Sequence, residues 1–120
     1  MTVEEVYSRI GADYSEVLRR LPSESLIAKL IVKYLQDPTY RELMEAVQRS
    51  EVDAAFRAAH TLKGVCQNLG FSNMLRPVSD VTEIFRAGTM DGAAELLEEI
   101  TKEQEKVSEA IRAFEEAQQA

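Results

Sequence analysis

The chain reads as all-α, an antiparallel up-down four-helix bundle with short helices attached at its N-terminus. Three observations predict this. Apolar residues recur at helical spacing from Val3 to Phe114, and no stretch alternates with period two. The breaks between periodic stretches carry helix-stopping or helix-starting residues, among them Gly11, Asp37-Pro38 and Gly70. Those breaks are short, and short connections set neighbouring helices antiparallel. One domain is expected over residues 1–120, with short helices in 1–22 and the bundle in 23–118.

Thr2 followed by Glu5 is a capping-box pattern. Val3, Val6, Tyr7 and Ile10 give the first helix an apolar face, and Gly11 ends it. Asp13 and Glu16 repeat the pattern before Val17, Leu18 and Leu21. Pieces this short are marginal alone and need a larger body to fold against. Pro22-Ser23 opens the first long element, whose apolar positions are Leu26, Ile27, Leu30, Ile31, Tyr34 and Leu35. Asp37-Pro38 interrupts it, with Asp37 suited to cap a new helix and Pro38 to its first turn. Tyr40, Leu43, Met44 and Val47 continue the pattern, so this region is either one kinked helix or two nearly continuous ones.

Ser50 is placed to start the next helix, with Glu51 and Asp53 near the positive end of its dipole. Its core stripe is Val52, Ala55, Ala59, Leu62, Cys66 and Leu69, and Gly70 ends it. Ser72 is expected to cap the following helix, which faces the core with Leu75, Val78, Val81 and Phe85 and has Pro77 early enough to disturb its first turn. Thr89 or Asp91 is expected to open the final helix. Its seam, Ala93, Leu97, Ile100, Gln104, Val107, Ile111 and Phe114, alternates spacings of four and three. The glutamates between Glu95 and Glu116 fall mostly off that seam as a solvated face, and the tail Ala117–Ala120 is expected to fray.

Composition narrows the function. A net charge of −7 speaks against nucleic acid and acidic membranes as partners. No apolar run is long enough for a membrane span or a signal peptide. The single cysteine, Cys66, lies on the core stripe as an apolar filler, which suits a reducing compartment, and a cytoplasmic location is expected. One histidine and scattered acids lack metal-ligand spacing, so no metal site is expected.

That one histidine, His60, organises the functional reading. At roughly 100° per residue, Lys63, Gly64 and Gln67 follow it on one side of the helix, and His60 sits roughly 130° from the centre of the core stripe. A glycine inside a helix costs about 1 kcal/mol relative to alanine. At Gly64, one turn beyond His60, the missing β-carbon lowers the wall beside the imidazole and admits another macromolecule. Phe56, one turn before His60, is open to two roles, docking contact or core packing.

The sequence H-x-L-K-G followed by N-L-G, carried here by His60, Leu62, Lys63, Gly64, Leu69 and Gly70, resembles the histidine-containing phosphotransfer (HPt) domain family. Length and helix order extend the resemblance over the whole chain. It implies that His60 accepts a phosphoryl group from a receiver-domain aspartate and returns it to another, that Lys63 neutralises phosphoryl charge, and that Gly64 clears the docking surface. The implied partners are response-regulator receiver domains and hybrid histidine kinases. The implied Mg²⁺ is held by the receiver and not by this chain. Such a protein is a phosphocarrier without turnover of its own and not an enzyme. A monomer is expected, because one chain closes the bundle, and the cap pattern directly after Met1 suits a free-standing protein.

Counting equal distances from the turn near residue 71 places Thr82 level with His60, with Ser79 and Arg86 on the same side of their helix. Relatives often have a glutamine at this level, bonded to the imidazole, and can carry a basic residue one turn on. Thr82 stands in the first position and Arg86 in the second, where a phosphate-side role and a plain surface role are equally open. With Thr82 in place of that glutamine, the holder of the ring nitrogen that is not phosphorylated is left open between Gln67 and a water. Phosphoryl transfer of this kind rests on positioning and charge stabilisation and asks for no separate base. The main alternative is a helical adaptor that keeps the fold and binds signalling partners without transfer. A kinase fragment is disfavoured by the absence of a nucleotide motif, and a hydrolase by the absence of a nucleophile–base pair.

Overall fold

A computed structural model describes residues 1–119, and among these the chain is helical with turns and no strands. The helices are α1 (Val3–Arg9), α2 (Tyr14–Arg20), α3 (Glu24–Tyr34), α4 (Thr39–Gln48), α5 (Val52–Leu69), α6 (Ser72–Arg86) and α7 (Ala94–Gln119). Helix α5 is the hub, packing most heavily on α6 and α4 and also touching α2 and α3. Helix α7 lies against α6, α1 and α3. Its 26 residues extend about 39 Å at the usual rise, which accounts for most of the 44 Å long dimension of the molecule.

Local signals explain most helix starts. Thr2 Oγ1 accepts the Glu5 amide at 3.1 Å, Asp13 accepts that of Ser15 at 3.0 Å, and Ser23 accepts that of Leu26 at 3.2 Å. Each satisfies a donor that has no partner within its own helix. Asp37 Oδ1 accepts the Thr39 amide at 2.8 Å, so the region around Pro38 separates two helices, α3 and α4.

Other starts differ from expectation. Ser50 does not cap α5. It sits before Glu51 with φ of 57°, in the left-handed region, because its amide and that of Glu51 turn back to the Val47 and Ala46 carbonyls to close α4. Ser72 is already helical, with Phe71 at the cap position and the Ser72 hydroxyl donating back to the Gly70 carbonyl. Helix α7 starts at Ala94 and not at Thr89 or Asp91, because Thr89 Oγ1 accepts the Asp91 amide and holds those residues in a turn. Pro77 is buried inside an unbroken α6. At the far end α7 remains helical through Gln119, where fraying was expected; Ala120 lies outside the described residues.

The expected stripe of α5 is buried at Ala55, Ala59, Leu62, Cys66 and Leu69, with Val52 half-buried. The α7 seam is buried apart from Gln104, whose half-buried amide oxygen accepts the Tyr34 hydroxyl from α3. Two large core residues escape the periodic pattern. Phe71 lies in the α5–α6 connection, edge-on to Tyr34, and Met74 is buried where Leu75 was expected. Leu26, expected on the core side of α3, is exposed, and the helix buries Ile27, Ile31 and Tyr34 instead.

The N-terminal helices hold the end of α5. The Tyr7 hydroxyl donates to the Leu69 carbonyl at 2.6 Å, and Arg20 Nη2 donates to the Gln67 carbonyl at 2.8 Å. These are carbonyls that the last turn of a helix leaves without a partner.

Burial also sets an alkaline limit. It pushes the Tyr7 and Tyr34 phenols well above their usual range and the Cys66 thiol up to about 12. Above roughly pH 9 the unfolded chain therefore releases protons that the folded chain keeps, and stability falls as pH rises towards the folded-state values. Each such group contributes a slope of about 1.4 kcal/mol per pH unit within its window. The urea midpoint at about pH 11 is expected well below that at about pH 8. An unchanged midpoint would contradict this burial.

Candidate functional site

His60 lies mid-way along α5 and is exposed, on the side away from the buried stripe. One turn on, Gly64 is exposed, and a β-carbon built there meets nothing within 4 Å. The surface beside the imidazole is therefore open and uncrowded. Lys63, half-exposed next to it, pairs with no carboxylate among the described residues. Its ammonium is free to meet an anion placed at the ring.

The opposite side of His60 is occupied. The ring of Phe56, half-buried one turn earlier, has its centroid 5.8 Å from that of His60 at an interplanar angle of 39°. Arg86 reaches across from α6 and sets its guanidinium carbon 4.9 Å from the centroid of the Phe56 ring. Glu83, one turn back on α6, accepts from Arg86 Nε at 3.1 and 3.3 Å. Glu83 was not foreseen in this constellation, although its i,i+3 spacing to Arg86 was the available signal. Arg86 and Phe56 also line a depression of about 290 Å³ with Asp53, Arg57, Phe85 and Gly88. The protein is acidic overall, yet Arg57 and Lys63 each stand three residues from His60 on α5, and Arg86 covers the neighbouring Phe56 ring.

Neither Thr82 nor Gln67 is arranged to hold the ring. Thr82 is fully buried, and its hydroxyl donates to the Val78 carbonyl of its own helix at 2.6 Å. A hydroxyl in a helix satisfies itself in this way when no outside partner reaches it. Gln67 is exposed, and the bond it receives from Arg20 goes to its main-chain carbonyl and not to its side chain. It stands two turns beyond His60, about 10.5 Å along the axis. Among the described residues no hydrogen bond reaches the imidazole. No group of three or more His, Cys, Asp or Glu side chains among them is placed to hold a metal ion, and no described helix is long and apolar enough to cross a membrane.

The family model for the Hpt domain matches residues 36–117, more than half of the chain. The chain belongs to the Hpt domain family. No curated protein and no solved structure matches it. The matched segment of this Hpt domain begins in the break before α4 and ends within α7. It thus contains His60 and every residue around it, while α1 to α3 precede it. Membership implies a phosphotransfer role in two-component signalling. Hpt domains are phosphocarriers rather than enzymes, and their usual partners are receiver domains and kinases.

Proposed function

We propose that His60 takes a phosphoryl group from the aspartyl phosphate of one receiver domain and passes it to the aspartate of another. The observation that carries this reading is the open surface at His60 and Gly64, beside an unpaired Lys63, in a chain of this family. In the first transfer the acyl-phosphate P–O bond breaks as the P–N bond to the neutral imidazole forms, and the carboxylate leaves. The return step reverses this. Lys63 offsets charge on the phosphoryl oxygens, and the Mg²⁺ required is the receiver's. Docking uses the face around Gly64, with Phe56 and Arg86 at its border.

The bundle serving this chemistry is read as an antiparallel up-down arrangement of α4 to α7 with the shorter helices laid against it. Short connections and contacts between successive helices support it. The working unit is taken as a cytoplasmic monomer that meets response regulators and hybrid kinases. The adaptor reading has one observation on its side, an imidazole with no hydrogen-bonded partner among the described residues.

Gly64→Gln separates docking from folding. A side chain enters open space there, and loss of a helical glycine is worth up to about 1 kcal/mol of added stability. The same side chain stands where a receiver must approach. The variant is expected to melt at or above the wild-type temperature while transfer from a phosphorylated receiver falls at least about tenfold, the equivalent of about 1.4 kcal/mol. Unchanged transfer would place the docking face elsewhere.

A further inference from the structure

We propose that Phe56, held by Arg86, is the positioning residue for the His60 imidazole, in place of a hydrogen bond. This rests on the phosphocarrier reading. An in-line attack requires the ring to hold one orientation, and an exposed histidine otherwise samples a broad range of χ2. The side chains that could have fixed it by hydrogen bonding do not. Thr82 is buried and bonded within α6, and Gln67 lies two turns away.

What the ring does meet is the Phe56 ring, in a tilted pair. The 5.8 Å separation and 39° tilt fall in the range in which aromatic pairs attract. Phe56 is itself fixed from two sides. Its body packs against the hydrophobic core, and the Arg86 guanidinium covers its ring at 4.9 Å, a favourable cation–π arrangement. The forked contact with Glu83 orients that guanidinium in turn. Glu83, Arg86, Phe56 and His60 thus form one continuous line from α6 to the reacting ring. The depression that Phe56 and Arg86 line lies to one side of this stack, so the approach over Gly64 is left clear. Phe56 touches neither phosphoryl group nor partner aspartate in this account. It acts through the ring it supports.

The test uses the whole chain and phosphoramidate, a small donor that needs no docking face. Its P–N bond to ammonia breaks as the bond to the His60 nitrogen forms. Phe56→Leu keeps an apolar side chain of similar bulk and removes the aromatic face. It is expected to slow labelling of His60 by about two- to tenfold, the range an aromatic pair can supply. NMR relaxation of the His60 ring is expected to show larger-amplitude motion. Phe56→Tyr is expected within about twofold of wild type, the ring pair being retained. Arg86→Gln, at an exposed position, is expected to slow labelling without altering helicity. If wild type is labelled and Phe56→Leu is labelled equally fast with equal ring motion, the positioning role is overturned and the carrier reading stands. If wild-type His60 accepts nothing from phosphoramidate or from any receiver, both fall together.

Discussion

His60→Gln is expected to abolish phosphoryl acceptance and leave the fold intact. The chain has no second histidine to take over the P–N bond, and glutamine's amide is not a nucleophile toward phosphorus. The loss should therefore be complete within detection. Stability should move by about 1 kcal/mol or less, because an exposed position away from the core contributes little and the substitution removes only one aromatic pair, that with Phe56. Incubation with a phosphorylated receiver, followed by detection of acid-labile, base-stable phosphate, reads the first effect. A thermal melt by circular dichroism reads the second. A cooperative loss of helicity in the variant would contradict the placement of His60 outside the core, and residual labelling would point to another acceptor.

Gly70→Ala carries the largest expected effect on stability. Gly70 ends α5 in the left-handed region, with φ of 74°, a conformation that costs a residue with a β-carbon about 1–2 kcal/mol. The added carbon would also stand 2.3 Å from Val17 Cγ2. Val17 is fully buried in α2, and its branched side chain has little freedom to turn away. Overpacking of this kind costs about 1–3 kcal/mol. The two together predict a loss of about 2–5 kcal/mol, read as a lower urea midpoint. Phosphoryl acceptance at temperatures where the variant stays folded should persist, since His60 lies ten residues earlier on the same helix. A variant as stable as wild type would mean that α2 does not press on the end of α5.

How much of this was legible in the sequence depended on how local the cause was. The α5 stripe could be read because burial on a helix repeats with its own period, and the same count put His60 outside the stripe. The caps at Thr2, Asp13 and Ser23 act within one turn and could be read too. Ser50 and Ser72 present the same local pattern, yet neither caps its helix. What decides them is the path of the chain between packed helices, left-handed at Ser50 and already helical at Ser72. Phe71 and Met74 are buried because α1 and α3 cover the α5–α6 turn, a tertiary fact that no periodic count contains.

The site divides in the same way. His60, Lys63 and Gly64 follow from spacing along one helix. For Thr82, counting gives only a level along the bundle and not the direction of a hydroxyl, which turns to the Val78 carbonyl of its own helix. Phe56 and Arg86 were each singled out, though their contact was not. They are thirty residues apart, and only the α5–α6 packing brings the guanidinium over the ring.

The most direct measurement is phosphoryl transfer itself. The chain is mixed, with Mg²⁺ present, with receiver domains phosphorylated on aspartate, and the product is mapped. The expected product is an acid-labile, base-stable phosphate on His60 that a second, unphosphorylated receiver then removes. A folded chain that binds receivers and takes phosphate from none of them would contradict it and establish the adaptor reading in its place.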